Sequence, residues 1–215
     1  MLANVLIHSF LLHLFLQAVP APALSFHFSA DPVGSLPAQW QARGGQGRPA
    51  YQVKAEPDGN RYLAAMSHGS DVQLGIEVKV RPEESPILSW RWRVHELPSA
   101  ADERYLKTLD SAASVYAVFG SRLFPRVLKY VWSTSLPAGS SVKHPNSGRM
   151  AIIVVHSGSD SLGMWQQVTR NLVEDFKKVF QIQPGNLIAI GVKTDSDSTH
   201  SSAQADYDDI RVAQR

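Results

Sequence analysis

In the stretch Ile87-Leu88-Ser89-Trp90-Arg91-Trp92-Arg93-Val94, apolar and polar side chains alternate from Leu88 to Val94. Successive side chains of a β-strand point to opposite faces of its sheet. The stretch therefore predicts a half-buried strand, with Trp90 and Trp92 on the inner face and Arg91 and Arg93 on the outer face.

Further strands are predicted on both sides of this stretch. They cover residues 51–54, 62–66, 71–80, 114–119, 127–133, 150–155, 187–193 and 206–212. The turn sequence Pro57-Asp58-Gly59-Asn60 joins the first two as a hairpin. Residues 150–155 are apolar at every position, which is typical of a strand in the middle of a sheet.

One amphipathic helix is predicted near residues 165–181. Apolar residues recur there at three- and four-residue spacing from Trp165 to Val179, and Pro184-Gly185 follows. Many strands with a single helix predict a mainly β fold, an antiparallel two-sheet β-sandwich of the jelly-roll type. The alternative is an α+β domain in which the helix covers one sheet.

The composition is that of a globular protein and excludes several kinds of function. The 215 residues are 44% hydrophobic and 19% charged, as in a globular chain. A net charge of +2 excludes nucleic-acid binding through bulk charge. The chain has no cysteine, so it has no disulfide, no thiolate metal site and no cysteine nucleophile.

Residues 1–23 are interpreted as a signal peptide. Their apolar run, Val5 to Leu16, is short for a membrane span, and Ala21-Pro22-Ala23 is a small-residue cleavage pattern. Cleavage would leave residues 24–215 as a single β-sandwich domain, periplasmic or secreted, with no membrane span. The alternative is an N-terminal anchoring helix, since the run lacks a preceding Lys or Arg.

Five residues are candidates for ligand binding. Arg91 and Arg93 share one strand face, and Tyr130 and Trp132 alternate on another strand. If both strands lie on one concave sheet, guanidinium groups and aromatic rings would together hold an acidic polysaccharide or envelope glycan. Arg170 joins them if the helix borders the site. The alternative places the tryptophans in the core and the arginines on a solvated face.

A structural calcium ion is the one cofactor predicted. Residues 194–209 concentrate carboxylates, and oxygen ligands are those that calcium prefers. The candidate ligands are Asp195, Asp197, Asp208 and Asp209. The alternative is a polar surface loop held by its own side-chain turns.

Two other functions remain open. A polysaccharide lyase needs a cation to neutralise a uronate and a Tyr or His as base, and Arg91, Arg93, Tyr130 and His156 supply these groups. A glycoside hydrolase would need a carboxylate pair, which has no signature in sequence. An envelope structural or protein-interaction domain would instead expose an apolar patch.

Several motifs together resemble an uncharacterised bacterial family of exported proteins, domain-of-unknown-function family three-zero-four-seven. The motifs are 87–94 followed by Leu97-Pro98, Val115–Phe119, Tyr130–Ser133, Arg170–Phe176, Thr194–Asp197 and Tyr207–Ile210. The resemblance spans the mature chain and brings no established activity. The final strand also resembles the closing strand of carbohydrate-binding jelly rolls, in which an aspartate often holds a structural calcium.

The chain departs from the family pattern before the strand 115–119. Two adjacent aspartates and then an arginine are expected there, where this chain has Leu109-Asp110 and Ser114. If these positions belong to a site, Leu109 and Ser114 mark its loss or alteration.

Overall fold

The computed structural model of the protein describes residues 24–44 and 50–214. The predicted signal peptide, residues 1–23, lies outside this part of the chain. The described strands form two sheets that enclose one core. The predicted β-sandwich is confirmed.

The first sheet has six strands. They are β1 (Leu24–Phe26), β3 (Tyr51–Ala55), β4 (Arg61–His68), β6 (Ile87–Glu96), β11 (Gln166–Asn171) and β13 (Ser202–Ala213). Their order is β11-β6-β13-β4-β3, and β1 pairs with the far end of β13.

The second sheet has seven strands. They are β2 (Gln41–Arg43), β5 (Asp71–Val80), β7 (Ala113–Phe119), β8 (Arg126–Ser133), β9 (Ser141–His144), β10 (Ser147–Ser157) and β12 (Leu187–Asp195). Their order is β2-β5-β12-β7-β8-β10-β9. This sheet is mixed, because β10 runs parallel to β8 and antiparallel to β9. The chain reverses direction in the β9–β10 hairpin, and β10 then pairs with β8 in the parallel direction.

The core lies between the sheets and contains the inner face of β6. Leu88, Trp90, Trp92 and Val94 are fully buried, as the alternation predicts. Across the core, the Trp90 ring lies 5.3 Å from that of Tyr130. Edge-to-face and tilted aromatic pairs of this kind add to the stabilisation from apolar burial.

The helix of this region, α1, spans Leu172–Phe180 and is shorter than the predicted helix. Residues 166–171 form β11, in which Val168 pairs with Trp90 and is buried. Asn171 begins the helix by accepting hydrogen bonds from the backbone N–H groups of Val173 and Glu174. The prediction of a helix over 165–171 was wrong because Trp165 and Val168 continue the helical spacing of α1 backward, although Val168 is the single buried apolar residue of a strand paired with β6.

No helix in the ranges 24–44 and 50–214 has the length and apolar character needed to cross a membrane.

Candidate functional site

The outer face of the six-stranded sheet brings arginines and aspartates together. Arg91 and Arg93 point outward because their neighbours Trp90 and Trp92 point into the core. The β6–β13 register places Arg91 opposite Asp208 and Arg93 opposite Asp206. Each arginine therefore meets a carboxylate of the adjacent strand.

Asp206 is the centre of this network. Its Oδ2 atom accepts hydrogen bonds from Nε and Nη2 of Arg93, at 2.9 and 2.8 Å. The same oxygen lies 2.6 Å from Nε2 of His95. The Asp206 side chain is almost fully buried, so these groups supply the solvation that water would otherwise give it.

A β-bulge turns two successive carboxylates toward Arg91. Asp209 has a φ of 51°, and the register shifts between Asp208 and Arg211. Nη2 of Arg91 lies 2.6 Å from Asp208 and Nε lies 3.1 Å from Asp209. Burial raises the pKa of Asp208, while hydrogen bonds from Asn60 and Arg91 oppose this rise.

Two aromatic rings complete the surface. The guanidinium carbons of Arg91 and Arg93 lie 4.7 and 4.6 Å from the centre of the Trp165 ring. Arg93 also lies 5.3 Å from the Tyr62 ring. Indole Nε1 of Trp165 donates to Glu56 at 3.3 Å, and Glu56 in turn pairs with Arg93. We name this surface the arginine face: Tyr62, Arg91, Arg93, Trp165, Asp206 and Asp208.

Tyr130 and Trp132 do not lie on the arginine face. Their strand, β8, belongs to the seven-stranded sheet, and both side chains point into the core. Trp132 donates from Nε1 to the carbonyl of Gly158 at 3.0 Å. The condition that both strands share one sheet is not met, and the tryptophans occupy the core positions that the alternative interpretation assigned to them.

Arg170 and Tyr130 do lie together, away from the arginine face, where both bind the Asp175 carboxylate. Arg170 holds Asp175 through two hydrogen bonds, of 2.9 and 2.5 Å, and the Tyr130 hydroxyl donates to Asp175 at 2.9 Å. Burial raises the pKa of Tyr130 well above its ordinary value, and the Asp175 charge adds to this. A recess of about 210 Å³ lies beside Arg170 and Asp175. These groups belong to the helix end of the sandwich.

His156 is likewise away from the arginine face. Its Nδ1 atom accepts a hydrogen bond of 2.9 Å from the Trp92 indole, so a neutral ring would carry its proton on Nε2. Burial lowers the pKa of His156. The histidine that does face the arginines is His95, which the sequence did not single out.

The predicted calcium ligands divide into two groups. Asp195 and Asp197 lie together, and Asp110 completes a cluster whose ligand oxygens are within 4.8 Å of one another. Asp208 and Asp209 are instead bound to Arg91 on the arginine face. Only a contact between distant segments brings Asp110 to this place, so sequence spacing could not reveal it.

Two of the three carboxylates of this cluster, those of Asp110 and Asp195, already have partners. Asp110 accepts from the backbone of Ser198 at 3.2 Å and from the backbone and hydroxyl of Thr199 at 2.7 and 2.6 Å. Asp195 accepts from the backbone of Ser111 at 3.0 Å and lies 2.8 Å from the Lys193 ammonium. Burial raises the pKa of Asp197.

Lys193 contributes the positive charge of this region. Its Nζ atom lies 2.6 Å from Asp71 and 2.8 Å from Asp195. Burial alone would lower the pKa of Lys193, but Asp195 and its neighbours raise it well above its ordinary value. The ammonium therefore stays charged beside the cluster.

Leu109 and Ser114, the two positions singled out in the sequence, lie near this cluster, and Leu109 directly precedes Asp110 in the chain. Ser114 is the neighbour of Lys193 across the β7–β12 pair. Its hydroxyl is buried, and no partner for it exists within the described ranges. Leu109 packs against a small second core on the outer side of the seven-stranded sheet.

A family model described as protein of unknown function, DUF3047, matches residues 38–211. The chain belongs to the DUF3047 family. The resemblance seen in the sequence motifs is thereby confirmed. Comparison of this DUF3047 protein with curated protein sequences finds no match.

Three solved structures illustrate what the fold of the DUF3047 chain resembles. A mannan-recognising carbohydrate-binding module, TmCBM27, is 15% identical with a TM-score of 0.38, covering 91% of this chain and 98% of its own. The family 11 carbohydrate-binding module of a Clostridium thermocellum cellulase is 9% identical with a TM-score of 0.41, and the match covers 93% of this chain and 97% of that module. The Emp47p carbohydrate recognition domain is 12% identical with a TM-score of 0.46, and the match covers 88% of this chain and 94% of that domain. Likenesses this distant say nothing about the ligand of the DUF3047 chain.

The DUF3047 chain also has a groove on the seven-stranded sheet. Gly75 and Gly191 face each other across β5 and β12 and line this groove of about 270 Å³. A Cβ atom at Gly191 would lie 2.8 Å from the Gln73 amide nitrogen. The ion pair of Glu77 with Arg122 borders the groove.

Proposed function

We propose that this DUF3047 protein is an exported glycan-binding β-sandwich whose binding surface is the arginine face. The observation that carries this proposal is the Trp165 ring, which lies within 5 Å of two guanidinium groups on an outward sheet face. An aromatic ring packs against the apolar side of a sugar, while planar polar groups exchange hydrogen bonds with its hydroxyls.

The charges on and directly beside the arginine face favour an uncharged glycan over the acidic polysaccharide expected from the arginines alone. Three guanidinium groups, those of Arg91, Arg93 and Arg211, pair with four carboxylates. The carboxylates belong to Glu56, Asp206, Asp208 and Asp209. A uronate would have to displace one of these pairs, whereas sugar hydroxyls can bind to groups that stay paired.

Retention on immobilised glycans tests the proposal. We expect the wild-type protein to be retained by a neutral polysaccharide, and Trp165→Ala to abolish retention. Met164→Ala is the matched control, because Met164 is the adjacent residue and is 52% exposed. Equal retention of wild type and Trp165→Ala, or no retention on any glycan, would reject the arginine face as the binding surface.

An enzyme acting on polysaccharide is the second candidate. Tyr62 and His95 both lie beside Arg93 or its partner Asp206, so the arginine face carries the residue types of a base and an acid. The same incubations, scored by mass spectrometry, distinguish the two functions. Soluble products that disappear in His95→Gln would assign catalysis, and retention without products would assign binding.

Export is supported by the pattern of residues 1–23, a short apolar run followed by a small-residue cleavage pattern. N-terminal sequencing of the protein recovered from periplasm and medium is the direct measurement. A mature N-terminus near Leu24 is expected. Recovery of the intact chain in the cytoplasm would contradict it.

We further propose that Lys193, and not calcium, neutralises the acidic cluster. The cluster offers the oxygen atoms that calcium prefers, and its three aspartates could hold an ion. Asp195, one of its two buried carboxylates, is however already held by the Lys193 ammonium at 2.8 Å. A cation bound there would have to stand beside this ammonium, at a cost in repulsion.

A further inference from the structure

The turn between β7 and β8 exposes two adjacent large apolar side chains. Leu123 is 83% exposed and Phe124 is 65% exposed. Single exposed apolar residues are common, whereas contiguous exposed apolar surface is typical of a contact site.

Arginines surround these two side chains. The guanidinium carbon of Arg149 lies 5.3 Å from the centre of the Phe124 ring, and its Nη1 donates to the Phe124 carbonyl at 3.4 Å. Arg122 and Arg126 flank the turn in the chain. Arg122 pairs with Glu77 at 2.5 Å, whereas within 24–44 and 50–214 neither Arg126 nor Arg149 has a carboxylate partner.

The segment after α1 packs against the same turn. The Gly120 N–H donates to the carbonyl of Asn186 at 2.9 Å. The guanidinium carbon of Arg126 lies 5.9 Å from the centre of the Phe180 ring. This segment contains Ile182, which is 44% exposed. We name the resulting end of the molecule the basic tip: Arg122, Leu123, Phe124, Arg126 and Arg149.

We propose that the basic tip docks on the surface of a membrane that contains anionic phospholipid, with Leu123 and Phe124 inserted among the headgroups. Apolar side chains on a protruding turn enter a fluid bilayer interface without needing a complementary pocket. Arginine binds phosphate through two parallel hydrogen bonds, and basic residues near an anionic surface add to its attraction. Glycan binding on the arginine face is neither required nor contradicted by this docking.

Co-sedimentation with lipid vesicles tests the proposal. We expect the wild-type protein to sediment with vesicles of phosphatidylcholine and phosphatidylglycerol but not with phosphatidylcholine alone. The double variants Leu123→Ser/Phe124→Ser and Arg126→Gln/Arg149→Gln should each lose at least ~10-fold in vesicle affinity. Val33→Ser, at another exposed apolar residue, is the matched control and should sediment like wild type.

Insertion can be measured directly because the chain has no cysteine of its own. An environment-sensitive fluorophore on Leu123→Cys should shift to the blue with anionic vesicles, and the same label on Val33→Cys should not. Absence of sedimentation with anionic vesicles overturns the proposal. So does sedimentation that the tip variants leave unchanged, since binding would then lie elsewhere, for example in residues 1–23.

Discussion

Arg93 and Asp206 are paired across neighbouring strands, and Arg93 directs both Nε and Nη2 to the same carboxylate oxygen, at 2.9 and 2.8 Å. His95 shares that oxygen at 2.6 Å. Arg93 and Asp206 are 113 residues apart in the chain. Their strands, β6 and β13, are thus joined by a nearly buried ion pair as well as by backbone hydrogen bonds.

Asp206→Asn should therefore destabilise the protein strongly. The substitution removes the charge that accepts from both Nε and Nη2 of Arg93 and leaves that guanidinium paired with Glu56, which costs about 2 kcal/mol. Urea unfolding followed by circular dichroism measures the loss. Glu83→Gln, at an exposed carboxylate, is the control and should stay within about 0.5 kcal/mol of wild type. Equal stability of the two variants would show that the pair contributes nothing.

Trp132→Ala should act on stability and leave glycan binding intact. Trp132 is 1% exposed, and removal of such a large core side chain costs about 4 kcal/mol. We expect a lower midpoint of unfolding together with an unchanged glycan affinity of the folded fraction. A selective loss of affinity at unchanged stability would contradict the core position of this ring.

His156 should make stability sensitive to acid. Its pKa is lowered in the folded state by burial, so the unfolded chain takes up the proton first as pH falls below about 6.5. Stability is complete above that value and declines as pH falls through the folded-state pKa. Thermal unfolding at about pH 8 and pH 5 measures this difference.

His156→Gln should reduce the acid sensitivity while keeping an oxygen that can accept from the Trp92 indole. Burial lowers the pKa of His144 in the same direction, so part of the sensitivity will remain. His27→Gln, at an exposed ring, is the control and should behave like wild type. An identical pH profile for His156→Gln and wild type would remove His156 as the cause.

Lys193→Met should create a dependence on calcium. Without the ammonium, the buried Asp195 loses its ion-pair partner, and the three clustered carboxylates repel one another. We expect a loss of about 3 kcal/mol that added Ca²⁺ partly restores, measured by thermal unfolding. Wild type and Lys79→Met should unfold alike with calcium and with chelator. A chelator that destabilises wild type would instead assign a resident metal ion.

The strand segments and their two faces follow from the sequence alone. Alternation is a local property, because the pleat turns each side chain opposite to its neighbours whatever the strand pairs with. Trp90 and Trp92 inside, and Arg91 and Arg93 outside, were predictable for this reason. At Val168, one apolar residue among polar neighbours fitted the spacing of the following helix, so the sequence did not reveal the strand that pairs with β6.

A strand that is apolar on both faces need not lie in the middle of its sheet, because other segments can cover its outer face. Residues 150–155 are apolar on both faces, yet β10 is second from the edge of its sheet. Its outer residues Ile152 and Val154 are buried beneath a small core that includes Leu136 and Leu109. Burial on both faces was predictable, and the position in the sheet was not.

The partners of each side chain were decided only by the tertiary structure. Trp165 meets Arg91, Asp110 meets Asp195, and Tyr130 faces Asp175 and not the arginines, because strand order brings together segments far apart in the chain. Local sequence determines which way a side chain points relative to its own strand. Which strand lies next to it depends on the packing of the whole core, and the candidate site is made of those neighbours.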